Sequence, residues 1–252
     1  MFSLKGFYLI GYNVASAAAW GIVWALAVTQ VRECFATQSL AGVTSGAFWT
    51  SRLEGVDYDF GVLLKWVQTA ASMEILHAML GVVRASAFTT ILQVFSRVWV
   101  IWAVFDVAPV STTNFFTLLC VTSWASVEVP RYSYLAAKEL SKLFAGTKED
   151  EAAAEAPYFL KWIRYSLFAV LYPTGISGEL GCMYHTIQYL LENPVSVPLY
   201  VQPELPPIFS VPLLWLIIGV GLTYVNGAPT MYTHMVKQRE KYLGGAGKAK
   251  TA

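Results

Sequence analysis

Taken by its apolar and polar positions, the chain divides into six long apolar runs joined by polar stretches, at 7–29, 61–83, 87–107, 113–129, 165–190 and 208–232. Most reach or exceed the ~20 residues an α-helix needs to cross a bilayer core about 30 Å thick. Inside lipid each backbone polar group must be satisfied within its own segment, so runs of this length predict helices. The pattern therefore predicts an all-α polytopic membrane protein, a six-transmembrane-helix bundle forming one domain over 1–252. Residues 1–6 hold only Lys5 and are too short for a signal peptide's charged start and apolar core, so 7–29 reads as a retained first span. Gly11, Ser16 and the alanines from Ala15 to Ala19 give that span a small-residue face for packing.

The polar stretches predict the connections. Residues 31–60 carry Arg32, Glu33, Arg52, Glu54, Asp57 and Asp59 among Ser, Thr and Gly, as a solvated loop with a short interfacial helix near Ala47 to Leu53. Arg84 and Ser86 leave room only for a tight turn, so the second and third spans form an antiparallel hairpin. The fourth span, short, ends in Glu128-Val-Pro-Arg131-Tyr132, and an amphipathic stretch with Lys138, Glu139 and Lys142 follows. The Ala/Glu-rich residues 146–157 read as a flexible linker. Tyr158 to Arg164 returns to the interface, and 193–207, with five prolines and no Lys or Arg, reads as a loop on the opposite side. Residues 237–252 form a basic tail with Lys237, Arg239, Lys241, Lys248 and Lys250. The last two resemble the dilysine signal that returns membrane proteins to the endoplasmic reticulum.

Composition strengthens this picture and adds an orientation. The chain is 56% hydrophobic and 13% charged, with a mean hydropathy of +0.51, against about 45–50% and about 25% for soluble domains. A net charge of +1 offers no basic stripe for nucleic acid. Cys34, Cys120 and Cys182 are odd in number and form no C-x-x-C, so no complete disulfide framework is expected and they read as apolar fillers. With both termini and the loops after the second and fourth spans in the cytosol, that face collects thirteen of the 17 Lys and Arg residues. The other face has Arg32, Arg52 and Lys65, and Arg97 lies within a span. The positive-inside rule thus predicts both termini cytosolic.

Ionisable residues within spans are costly and mark pairing or chemistry. Glu74 and His77, three apart, share a helix face. A proton relay or metal pair is one reading, but two ligands make no site, and buried structural pairing is preferred. Arg97 lies about 15 Å into the third span by helical rise and needs a carboxylate, for which Glu74 and Glu128 are the candidates. In the fifth span Tyr172 and Glu179 are seven residues apart, within ~20° of one another around the helix and ~10.5 Å along it. That spacing suits two groups reaching toward one small substrate from successive turns. Pro173 between them deprives the Ala169 carbonyl of its helical partner and predicts a bend. His77, His185 and His234 are scattered outside any ligand spacing, so neither metal nor cofactor is expected.

Tyr172-Pro173-x-Gly175-x-x-x-Glu179, preceded by Trp162-x-Arg164-Tyr165, resembles the signature of the very-long-chain (3R)-3-hydroxyacyl-CoA dehydratases, the protein tyrosine phosphatase-like membrane dehydratases. Glu74-x-x-His77 and Val83-Arg84-Ala85-Ser86 within Gln68 to Ser86, Ser96-Arg97 within Gln93 to Val98, and Glu128-x-x-Arg131-Tyr132 extend the likeness over roughly Val67 to Leu180. The resemblance implies that Tyr172 and Glu179 are the catalytic pair and that a long or very-long-chain acyl-CoA is the substrate. It also implies association with the condensing enzyme and two reductases of fatty-acid elongation, while the dilysine-like tail points to the endoplasmic reticulum membrane. Dehydration to the trans-2-enoyl-CoA needs a base for the C2 proton and an acid for the C3 hydroxyl. A carboxylate in an apolar site is a strong base and a neutral phenol can donate, which favours Glu179 as base and Tyr172 as acid. The reverse assignment would need a cation such as Arg164 beside the tyrosinate. Arg131, Arg164 and Lys161 are candidates for the phosphates of the substrate and Tyr165 for its thioester, though each also suits an interfacial anchor.

Two other classes compete. A catalytically inactive scaffold or assembly subunit would keep the fold but has no need of an intramembrane glutamate; a transporter would use the Pro- and Gly-broken helices. Conversion of substrate in detergent without a gradient separates an enzyme from both. A thiol phosphatase is excluded, because the residues six after the three cysteines are Leu40, Ser126 and Gln188 rather than Arg.

Overall fold

In a computed structural model of the chain, residues 4–52, 59–199 and 209–244 are described. The described residues form ten α-helices, a π-helical stretch, a short 3-10 helix at Pro109–Ser111 and a two-stranded antiparallel sheet. Helix α1, Leu4–Thr37, meets no Pro over 34 residues and buries Leu9, Asn13, Trp20, Val23, Ala27 and Gln30, a stripe at helical spacing. It extends beyond the first apolar run and takes Arg32 and Glu33 into the helix, leaving a shorter loop than the charge pattern predicts. The short helix of this stretch is α2, Ala41–Thr44, ahead of the predicted one; 47–50 are turns, and Leu53 lies outside the described residues. Glu54 and Asp57 lie outside the described residues.

The second apolar run is two helices, α3, Phe60–Ala70, and α4, Met73–Met79. Between them the amides of Ala71, Ser72 and Glu74 bond to carbonyls three residues back, a tightened turn rather than a continued α-helix. Gly81, at φ +68°, ends α4 in the left-handed region open to glycine, and the amide of Val82 closes back on the His77 carbonyl at 2.8 Å. Ser86 then caps α5, Ala87–Trp99, which passes directly into a π-helical stretch at Val100–Phe105.

Asn114 accepts from the amides of Phe116 and Thr117 and starts α6, Phe115–Leu143. The fourth apolar run ends at 129, yet the helix continues through Pro130 for nearly four more turns, to Leu143. Only the proline's own N–H is lost, and the amphipathic residues beyond it find a packed partner in α8, Tyr158–Ser166. Within 146–157, the stretch read as a linker, lies α7, Lys148–Ala153. Helix α9, Phe168–Glu192, likewise runs unbroken through Pro173. Strands β1, Ser196–Leu199, and β2, Phe209–Pro212, pair antiparallel with Ser196 opposite Pro212. They lead into α10, Leu213–Leu243, which carries the first part of the basic tail. Lys248 and Lys250 lie outside the described residues.

Among the described residues three helical stretches, Leu4–Thr37, Ala87–Phe105 and Leu213–Leu243, are long and apolar enough to cross a membrane. Helix α6 is central, packed between α1 on one side and α9 on the other, with α10 against α9. The core gathers Trp20 and Val23 from α1, Leu64 from α3, Val121 and Trp124 from α6, and Met183 from α9. Outside it Trp66, Phe88, Val170, Trp215 and Val225 are exposed, the outward apolar surface that lipid would cover.

Candidate active site

The site begins where α6 and α9 touch. Gly175, Gly178 and Gly181 recur at every third position of α9. A Cβ on Gly178 would stand 2.6 Å from the Cys120 amide nitrogen, a Cβ on Gly175 would lie 3.5 Å from the Ser123 Cβ, and the Phe116 ring lies against Gly181. At Gly178 only a residue without a side chain lets the two backbones come this close. Ser123 and Thr174 share a hydroxyl–hydroxyl hydrogen bond of 2.9 Å across the seam.

That register sets Trp124 beside Glu179. The indole Nε1 donates to Glu179 Oε1 at 2.8 Å, and from α10 the Tyr224 hydroxyl donates to Oε2. Glu179 is 7% exposed, and each of its oxygens has a donor from a different helix. Tyr172, two turns away, is half-buried with its ring against Tyr232 of α10, centroids 6.2 Å apart. Glu179 and Arg97 both act electrostatically on its phenol.

Behind Trp124 lies a second polar group. Arg97 of α5 pairs with Glu128 Oε1, and its guanidinium carbon is 5.6 Å from the centroid of the Trp124 ring. Arg131 Nε donates to Glu128 Oε2 at 2.6 Å, while its Nη1 and Nη2 grip Glu74 at 3.0 and 2.7 Å. The Tyr132 hydroxyl also donates to Glu74. Two carboxylates and two guanidinium groups thus form a formally neutral quartet across α4, α5 and α6, with Glu128 only 3% exposed. Of the two carboxylates open to Arg97, Glu128 takes it. His77 stands apart from the quartet, its Nε2 2.8 Å from the Tyr8 hydroxyl and its ring edge-on to Tyr12. Glu74 and His77 therefore serve different partners.

A third cluster sits at the ends of α6, α8 and α10. The Arg164 guanidinium lies over the rings of Tyr134 and Tyr165, 4.9 and 5.5 Å away, and its buried Nη1 has no hydrogen-bond partner among the described residues. Tyr165 stacks on Tyr242 at 4.8 Å. Lys161 and Lys138 converge on Glu155, at 3.4 and 3.1 Å, and the Tyr134 hydroxyl donates to the same carboxylate at 3.1 Å. Partial burial draws the Glu155 carboxyl upward, but the two lysines and the phenol outweigh it and hold it below the usual carboxylate range. Arg164, Lys161 and Tyr165 thus come together, whereas Arg131 is committed to the quartet.

Sequence reasoning passed over Trp124 and Tyr224. Their signal was position: both lie well inside apolar runs, away from the interfacial belts where Trp and Tyr gather, and a buried N–H or O–H there needs an acceptor. Among the described residues no three His, Cys, Asp or Glu side chains come together as metal ligands would.

Fold and site together define a helical protein with helices apolar enough for a membrane and a buried carboxylate clamped by two donors on the helix face that carries a tyrosine. Residues 68–245 match the family described as "Protein tyrosine phosphatase-like protein, PTPLA". With most of its length matched, the chain belongs to that family. It is 31% identical over 245 residues to very-long-chain (3R)-3-hydroxyacyl-CoA dehydratase hpo-8 of Caenorhabditis elegans, covering 96% of this chain and 97% of that one. It is 33% identical over 239 residues to very-long-chain (3R)-3-hydroxyacyl-CoA dehydratase 2 of Homo sapiens, covering 94% and 80%. The likeness to PASTICCINO 2A of Oryza sativa subsp. japonica, another protein named as such a dehydratase, is 32% over 244 residues, covering 97% and 96%. No solved structure matches.

Proposed function

We propose that this protein is a hydro-lyase that removes water from long or very-long-chain 3-hydroxyacyl-CoA to give the trans-2-enoyl-CoA, the third step of fatty-acid elongation. The observation that carries the reading is Glu179, buried in α9 between the donors of Trp124 and Tyr224, with Tyr172 on the same helix. An ionised carboxylate oxygen has lone pairs beyond the one each donor uses, so Glu179 can still accept the C2 proton. The C2–H electron pair becomes the C2=C3 double bond, the C3–O bond breaks, and the Tyr172 phenol protonates the departing hydroxyl to give water. Return of the proton from Glu179 to the phenolate restores both groups.

In this reading the protein sits in the endoplasmic reticulum membrane with six crossings and both ends cytosolic. Arg164 and Lys161, beside Tyr165, form the cytosolic rim for the phosphates of the substrate, and the acyl tail lies in the bundle among lipid-facing helices. Glu74, Arg97, Glu128 and Arg131 support the site as a structural polar group, and His77 ties α4 to α1. Handing one acyl-CoA from step to step favours association with the other elongation enzymes, which co-purification would reveal.

Purified in detergent and given 3-hydroxyacyl-CoA, the protein forms enoyl-CoA without a gradient. Glu179→Gln and Tyr172→Phe each reduce kcat by about a hundredfold or more, the scale of a lost general base or acid, with unchanged elution on gel filtration. Near-full turnover by either variant rejects that residue's role; a folded wild-type protein with no turnover favours the inactive scaffold.

A further inference from the structure

Helix α10 is the least embedded of the long helices: of its residues only Leu213 and Ile217 are buried. Around Tyr224 its neighbours Leu222 and Val225 are exposed, and Gly219 and Gly227 have no neighbouring atom within 4 Å of where a Cβ would be. Yet Tyr224 reaches inward to Glu179, and Tyr232, eight residues on, meets Tyr172. The two tyrosines of α10 face the two reactive residues of α9 in antiparallel order.

We propose that Tyr224 is a positioning residue for Glu179, which with Trp124 makes a two-donor clamp, so that α10 is part of the active site. The inference rests on the dehydratase reading for its catalytic consequence, but the clamp itself can be tested without substrate.

The terminal torsion of a glutamate is broad and roughly two-fold, so a carboxylate held at one oxygen can still swing. Trp124 from α6 and Tyr224 from α10 hold opposite oxygens, which fixes the carboxylate plane relative to Tyr172. Both partners only donate to it, and hydrogen bonds to an ionised acceptor are the strong kind. Acting on Glu179 besides these are Arg97 from α5, Cys120 from α6 and, from its own helix, Tyr172 and Cys182. Arg97 is the cation among them, and it lies over the face of Trp124. The indole therefore links the charge quartet to the carboxylate, while Tyr224 provides the only other hydrogen bond to Glu179 among the described residues.

The test uses the full chain in detergent and the hydrophobic reagent dicyclohexylcarbodiimide, which labels carboxyl groups in their protonated form. Labelling of the Glu179 peptide at pH 7 is followed by mass spectrometry in the wild type, Tyr224→Phe and Trp124→Phe, with Glu179→Gln as blank. Loss of either donor, which takes a hydrogen bond from the ionised carboxylate in a buried site, raises labelling about threefold or more, and Tyr224→Phe lowers kcat tenfold or more while KM stays within twofold. A merely structural tyrosine would lower the thermal midpoint and leave labelling and the kcat-to-KM split unmoved. Labelling within twofold of wild type in Tyr224→Phe overturns the clamp. If that variant fails to fold, unchanged labelling in Trp124→Phe overturns it equally. A wild type without dehydratase activity but with donor-dependent labelling sinks the catalytic reading and leaves the clamp standing.

Discussion

Glu128 serves two arginines at once, one oxygen to Arg97 and the other to Arg131, with almost no access to solvent. Neutralising it takes from Arg97 its one paired carboxylate among the described residues and leaves Arg131 on Glu74, and breaking a buried pair costs about 3–5 kcal/mol. Glu128→Gln is therefore expected to lower thermal stability in detergent by that amount. Arg97→Met combined with Glu128→Leu keeps the charge balance and leaves Arg131 on its bidentate partner, so the double variant is expected to lose less than Glu128→Gln alone. Both arginines and both acids were visible in the sequence as intramembrane charges, and Arg97 was recognised as needing an acid. Which acid it takes depends on the rotation of α5 about its axis, which spacing along one helix does not reveal. The same holds for His77, whose neighbour in sequence is Glu74 and whose partner in space is Tyr8.

The close approach of α6 and α9 shows how an element's composition becomes site geometry. Gly178→Ala places a methyl group against the Cys120 backbone, and backbone cannot step aside as a flexible side chain can. A cost of about 1–3 kcal/mol is expected, as for other overpacked positions. Because the helices must part, activity should fall further than stability through the lost reach of Trp124 to Glu179. Gly219→Ala on α10 meets open space and is expected to change stability by less than about 1 kcal/mol, in the stabilising direction. Thermal midpoints and turnover of the two variants, measured side by side, check the contrast. Apolar runs located most helices, but not where they end. Helix α6 outlasts its run because Pro130 forfeits one hydrogen bond and the amphipathic turns beyond pack on α8. The second run breaks at Ala71-Ser72, where nothing in composition marks a break.

Taken as a whole, the molecule gathers basic and aromatic side chains at one end, where Glu155 joins Lys138 and Tyr134 of α6 to Lys161 of α8. Its folded carboxyl is held below the ordinary range, so its stabilising contribution is present above about pH 4.3, the unfolded value, and is lost as pH falls through the lower, folded one. Proteolysis of the segment around 146–157 is expected to rise modestly, by about twofold to fivefold, as pH falls from neutral toward 3–4, the scale of a partly exposed ion pair. In Glu155→Gln that pH dependence should be lost. Orientation is checked separately: N-glycosylation acceptor sites inserted at 193–207 should be modified in microsomes, and sites inserted near 146–157 or after 244 should not. The reverse result would invert the arrangement. The basic rim is legible as a charge count, whereas Glu155 in the sequence is one more charge of an Ala/Glu-rich linker. Its role depends on Lys138, Lys161 and Tyr134 meeting there from two separate helices.

The linear order of residues by itself determined the helical class, the apolar surface, the face shared by Tyr172 and Glu179 and the motif that ties the chain to its family. Each of these follows from spacing within a single segment and from the cost of leaving a polar group in hydrocarbon. Tertiary structure alone decided that Trp124 and Tyr224 grip Glu179, that Arg97 goes to Glu128 and that Arg131 belongs to the quartet. Those are contacts between segments as many as 57 residues apart, set by the rotation and register of whole helices, and an arginine or a tyrosine carries the same donors whichever acceptor the packing brings to it.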